Sequence, residues 1–337
     1  MEATGALAAV TAAAPPRRTG RARLVVGYLA IAAILPYFTL KLFWIAGSTV
    51  GISTVSPLGA AVVRGGNTVT AAMEVVAIVI ILAFTHSWGL RAPAWLVLAP
   101  TWVGIGLLAP FIFTGSVVAV ASLTGSSAVG DGSLAPWVGP LVYGSFGAQA
   151  IGITASFTLY ARDRWPRVFR SRIADHPTGP YQSVLILFVW LITGMLAVVV
   201  LARSSWALGS TSGLSPRLIG ARGVAEALAD AGTALFAIAA AVGLLALVYR
   251  RPPQRATWVP VTLAWVGGGA VFGNGLYPTM LLVAGAGGSG AGGSQGALVP
   301  FVDLLQALTG AVIFVGGAFL LVELDTFTNE DARTVAL

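Results

Sequence analysis

Long apolar stretches recur along the chain, each near the 20 residues that a helix needs to cross a hydrocarbon core. They lie near residues 24–46, 67–85, 93–114, 136–160, 181–202, 223–249, 258–283 and 298–323. Short polar or glycine-rich segments separate them. The pattern predicts an all-α polytopic membrane protein with eight transmembrane helices. An even number of crossings places both termini on one side.

Charge decides which side. Of eighteen arginines, fourteen fall in the tail ahead of the first run, in the even-numbered turns and at the C-terminus. Only Arg64, Arg203, Arg217 and Arg222 fall on the opposite side. Arginine excess marks the cytoplasmic face, so both termini are expected in the cytoplasm of a multi-pass cell-membrane protein. Residues 1–23 then form a cytoplasmic tail, 161–180 a basic cytoplasmic linker and 324–337 a second tail. The N-terminal segment is Ala/Pro-rich and then basic, but no cleavage site follows it, so it is read as a tail rather than a leader.

The chain also repeats itself. WIAGSTVGIS at 44–53 matches WALGSTSGLS at 206–215 in six of ten positions, at an offset of 162. SPLGAAVVRG at 56–65 is echoed by SPRLIGARG at 215–223, and WVGIG at 102–106 by WVGGG at 265–269. Ordered matches at nearly one offset predict a tandem 4+4 parallel repeat, with units 24–160 and 181–323. Parallel repeats are related by an axis along the membrane normal. The tryptophans Trp88, Trp95, Trp137, Trp165 and Trp258 are ordinary interface-belt residues. For Trp102 and Trp265, mid-span, packing and ligand binding weigh about equally.

Composition agrees with membrane insertion and narrows the chemistry. The 337 residues are 57% hydrophobic and 9% charged, against the ~25% charged of a soluble domain, and the mean hydropathy is +0.87. There is no cysteine and there are two histidines, His86 and His176, so no metal centre and no cofactor is expected. The net charge of +7 lies beside apolar runs and does not predict a nucleic-acid partner. No DDxxD pair, Ser/His/Asp set, Walker loop or HExxH motif is present.

What remains is a set of ionisable residues inside apolar runs, which are functional candidates by default. Glu74 lies about seven residues, roughly 10 Å, below the outer start of the second run. Glu226 and Asp230 share one face of the sixth, Asp303 and Gln306 one face of the eighth, and Lys41 nears the outer end of the first. All fall in the outer half, which predicts an outer-leaflet polar pocket. Its candidate catalytic residues are Glu74, Asp303, Asp230 and Glu226. Its candidate substrate-binding residues are Tyr37, Trp102, Tyr143, Trp265, Asn274 and Tyr277, with Phe38 and Phe111 nearby. The structural alternative is a set of ion pairs, such as Lys41 with Asp303 or Arg222 with Glu226. Tyr143 takes the position of Asp303 in the repeat, and no acid of the second half matches Glu74, so the acids are not duplicated.

The segments LPYFTLKLFW (35–44) and WIAGSTVGIS (44–53) resemble those of polytopic actinobacterial membrane proteins, similar in character to membrane-bound terpene cyclases of bacterial indole-terpenoid pathways. The resemblance implies a buried acid that protonates an epoxide or alkene on a prenyl chain. It transfers no catalytic positions. A lipophilic small molecule and membrane lipids are then the expected partners. A proton-coupled transporter or exporter, and a non-catalytic membrane protein, are the alternatives.

Overall fold

The computed structural model describes residues 20–53, 60–112, 115, 134–175, 181–283 and 297–334. His176, most of the N-terminal tail, residues 335–337 and most of the outer connections lie outside this set. Among the described residues the chain is helical, and the only β-pairings are isolated bridges, Ile52 with Leu134 and Arg172 with Ala256.

The long helices are α1 (Arg21–Ile45), α2 (Ala60–Thr85), α3 (Ala94–Leu108), α4 (Val138–Arg164), α5 (Gln182–Ala207), α6 (Val224–Tyr249), α7 (Trp258–Val283) and α8 (Leu298–Thr334). Each coincides with one predicted apolar run. Six of them, α1, α2, α5, α6, α7 and α8, are long and apolar enough to span a bilayer. Within its described bounds α3 is a shorter apolar helix of 15 residues. α4 has 27 residues but carries Gln149 and several serines and threonines. The protein is thus a multi-pass membrane protein. Large apolar side chains point outward, among them Leu187 and Leu201 at 72% and 70% exposure, where lipid rather than water can cover them.

The helices pack in two groups of four. In the first, α1 packs on α2 and α4, and α3 on α2 and α4; in the second, α5 packs on α6 and α8, and α7 on α6 and α8. Each group has its own core. Ile34, Ile81, Phe84, Ile105 and Ile153 fill the first; Ile192, Leu196, Val199, Ala237 and Val271 fill the second. The groups meet through α3 against α7. That contact needs glycine: a Cβ on Gly106 would overlap the Gly269 carbonyl, and one on Gly273 would crowd the backbone of Gly106. Close backbone approach through small residues is how helices associate without a hydrophobic drive between them.

The turns after α1 and α5 are built alike. Trp44 Nε1 donates to the Val50 carbonyl at 2.8 Å and Trp206 Nε1 to the Ser212 carbonyl at 3.0 Å. Ser48 N–H donates to Phe43 and Ser210 N–H to Ser205, each at 2.9 Å. Gly47 and Gly209 have φ of +89° and +93°, Gly51 and Gly213 of +72° and +73°. Side chains rarely adopt these values, which accounts for all four glycines of the repeated motif.

Candidate functional site

The buried charges follow from which helices are neighbours. α1 lies against α2, so Lys41 meets Glu74, with Nζ 2.9 Å from Oε1. α5 lies against α6 and α8, so Arg203 meets Asp230 at 2.9 Å and Asp303 at 2.5 Å. Arg203 Nε also donates to Gln306 Oε1 at 2.8 Å, and Arg222 reaches the second oxygen of Asp230. Buried ion pairs of the kind the structural alternative describes do form, but with other partners than its two examples: Lys41 binds Glu74 and not Asp303, and Arg222 binds Asp230 rather than Glu226. Glu226 instead accepts the N–H of Gly223 at 2.7 Å and caps the start of α6, a helix-terminal role.

Arg203 is the residue that the apolar pattern misses. The fifth run predicts an end at 202, but α5 continues to Ala207 and carries Arg203 into the bundle. The signal was in the repeat: the 162-residue offset that superposes Trp44 on Trp206 also superposes Lys41 on Arg203. Each group therefore holds a cation at the same point of its first helix and an acid on its second.

The two sites differ in where a buried polar atom is left without a partner: on the Glu74 carboxylate in the first, on the Gln306 amide nitrogen in the second. In the second, both oxygens of Asp230 are bound by guanidinium groups, and Arg203 serves three partners. In the first, Glu74 is 5% exposed and its Oε2 has no hydrogen-bond partner. The Gln149 amide lies beside the carboxylate and donates to Ser145 Oγ at 3.1 Å.

Aromatic rings enclose the first site. Lys41 Nζ stands 4.1 Å from the centroid of Tyr37 and 5.7 Å from that of Phe146. Phe146 packs on Phe111 at 4.5 Å, and Phe111 on Tyr143 at 5.9 Å. Tyr143 and, from the second group, Tyr277 lie within electrostatic reach of Tyr37. Below Phe111 and Phe146 on the same helices opens an apolar cavity of about 100 Å³, lined by Ile105, Leu108 and Ile112 of the α3 side, Ala150 and Ile153 of α4, and Val266 of α7. Ile112, one of its lining residues, is also exposed on the outside of the bundle.

Of the predicted binding residues, Tyr37, Tyr143 and Tyr277 gather around this site. Three others lie in contacts between helices away from it. Trp102 is buried, donates to the Trp265 carbonyl at 3.0 Å and faces Phe272 and Phe314. Trp265 stacks on Phe157. Asn274 donates to Thr233 Oγ1 at 2.9 Å and ties α7 to α6. Phe38 packs into the first core. No group of three potential metal ligands exists among the described residues. Comparison with known protein families, curated proteins and solved structures yields no match.

Proposed function

We propose that the protein is a membrane-embedded terpene cyclase in which Glu74 protonates the prenyl chain of a lipophilic substrate. The observation that carries this reading is the unpartnered, buried Oε2 of Glu74 inside an aromatic enclosure. With a proton on Oε2, Glu74 is an acid whose other oxygen is held by Lys41. Proton transfer to an epoxide oxygen or an alkene carbon leaves a carboxylate already paired with the Lys41 ammonium, so the charge that develops is stabilised where it forms. The C–O or π bond opens to a carbocation, which faces Tyr37, Phe146, Phe111 and Tyr143. Cation–π attraction contributes about 2 kcal/mol or more in a desolvated site. A neighbouring alkene closes the ring, and loss of a proton back to Glu74 restores the acid with no change in substrate mass. The apolar cavity suits a short part of the hydrocarbon tail of such a substrate.

The same reading includes the architecture. A tandem duplication of a four-helix unit, eight crossings and cytoplasmic termini account for the matched turns, the matched cations and the arginine distribution. On this view the first unit keeps the chemistry and the second has become a clamp. Asp303, Asp230 and Glu226 are then structural acids, bound as they are to Arg203, Arg222 and the α6 terminus.

One observation favours a second reading, a proton-coupled carrier of a small hydrophobic molecule. The two groups touch along a glycine seam between equivalent helices, which suits rocking of one repeat on the other.

A single assay separates the two. Purified protein in detergent is given an epoxidised isoprenoid, and the product is examined by mass and chromatography. A cyclic isomer of unchanged mass is expected, lost in Glu74→Gln and retained in Glu226→Gln. Full turnover in Glu74→Gln would defeat the acid assignment. Uptake into liposomes driven by a pH gradient, with no isomer formed, would establish the carrier instead.

A further inference from the structure

Away from this site, the opposite end of the molecule carries an organised basic surface. α6 ends at Tyr249 and α7 begins at Trp258, and both are long and apolar enough to span a bilayer. The hairpin between them, 250–257, therefore lies at a membrane surface. The segment 171–175, which follows α4 and the short helix Pro166–Arg170, is laced to that hairpin. Ile173 N–H donates to the Arg255 carbonyl and Thr257 N–H to the Ser171 carbonyl, each at 3.0 Å; Ala174 N–H donates to the Pro253 carbonyl at 3.2 Å. Ser171 Oγ donates to Thr257 Oγ1 at 3.0 Å, and Arg172 Nη1 to Gln254 Oε1 at 3.3 Å.

The result is one platform from two distant segments, with Arg167, Arg170, Arg172, Arg251 and Arg255 exposed on it. No salt bridge among the described residues engages any of the five. The acids of the two segments are already used: Asp163 binds Arg23 at 2.9 Å, and Asp175 accepts the Arg172 backbone N–H at 2.6 Å. Interfacial aromatics border the platform. Trp190 Nε1 donates to the Tyr249 hydroxyl at 2.7 Å, and Trp258 and Tyr181 are exposed. A charge signal that orients the chain during insertion needs arginines in number but no folded arrangement. The hydrogen-bonded lacing holds the guanidinium groups together at headgroup height, beside lipid-facing helices.

We propose that this platform is a binding site for anionic phospholipids, its guanidinium groups taking the headgroup phosphates. Arginine suits the role because its planar fork meets phosphate oxygens two at a time. The proposal is independent of the chemistry at Glu74.

The test is lipid retention by the full chain. Protein is released from mixed vesicles holding equal amounts of phosphatidylglycerol and phosphatidylcholine, and the lipids that stay bound are counted by native mass spectrometry. Phosphatidylglycerol is expected to be enriched. Arg170→Gln and Arg255→Gln, one on each segment, should each weaken that preference about fivefold, as expected for one basic residue at an anionic surface. Arg91→Gln, exposed on the same side but off the platform, should leave it unchanged. Raising salt from roughly 0.1 M to about 0.5 M should erase the preference of the unaltered protein, a result that needs no variant to fold. Equal retention of both lipids, a preference indifferent to salt, or an Arg91→Gln effect as large as that of Arg170→Gln would each overturn the site.

Discussion

The two four-helix groups begin with the same turn and place a cation at the same point, yet they use it differently. Lys41 binds one oxygen of one acid and leaves Oε2 of Glu74 buried without a partner. Arg203 binds Asp230, Asp303 and Gln306, and Arg222 completes Asp230. A lysine is a single point charge that can shed its proton in an apolar setting, whereas an arginine cannot and its fork demands several acceptors. The difference in residue type thus accounts for the number of acceptors each cation binds. One group gathers two acids and Gln306 on one guanidinium and leaves the Gln306 amide nitrogen unpartnered; the other leaves a carboxylate oxygen unpartnered in an aromatic enclosure. On the proposed reading, one group serves rigidity and the other chemistry.

The sharpest way to break this comparison is to remove an acid from each group. Asp230→Ala leaves Arg222 without its carboxylate and Arg203 with Asp303 alone, and is expected to destabilise the protein by about 3–5 kcal/mol, because neither guanidinium can neutralise. Glu74→Gln strands one amine that can neutralise and keeps a hydrogen-bonding amide, so a loss of about 1–2 kcal/mol is expected. Thermal unfolding in detergent, followed by tryptophan fluorescence, measures both. Equal losses would mean that the two networks are equally structural. Next in size is the seam. Gly106→Ala forces its methyl into the Gly269 carbonyl and should cost about 1–3 kcal/mol, as overpacking does. Gly104→Ala, on the same helix with open space at its Cβ, should cost nothing measurable.

Much of the fold was legible because membrane helices announce themselves. Each of the eight helices lies on a predicted apolar run, and the sixth, predicted at 223–249, is observed at Val224–Tyr249. The matching turns were legible too, since a turn with two positive-φ glycines leaves a fixed spacing of glycines behind it. The partners of the buried charges were not legible. Depth along a helix can be counted from sequence, and it placed Lys41, Glu74, Asp230 and Asp303 correctly toward one end. Adjacency around a bundle cannot be counted, and adjacency is what joins Lys41 to Glu74 instead of Asp303. Arg203 fell between the two cases. Its charge shortened the apolar run that was used to find the helix, while its register on Lys41 stood in the repeat.

The smallest prediction tests whether the two turns are equivalent in energy as they are in geometry. Gly47 and Gly209 occupy nearly the same left-handed conformation, and a Cβ on either meets no atom within 4 Å. The cost of alanine at each is therefore backbone strain alone, about 1 kcal/mol for a single residue held at positive φ. Gly47→Ala and Gly209→Ala should lower the unfolding temperature by the same amount, and the double variant by twice that amount, because the turns share no partner. Unequal effects would show that the halves diverge in the turn itself and not only in the charges beneath it. Equal effects would leave the choice of lysine or arginine as the point at which the two halves part.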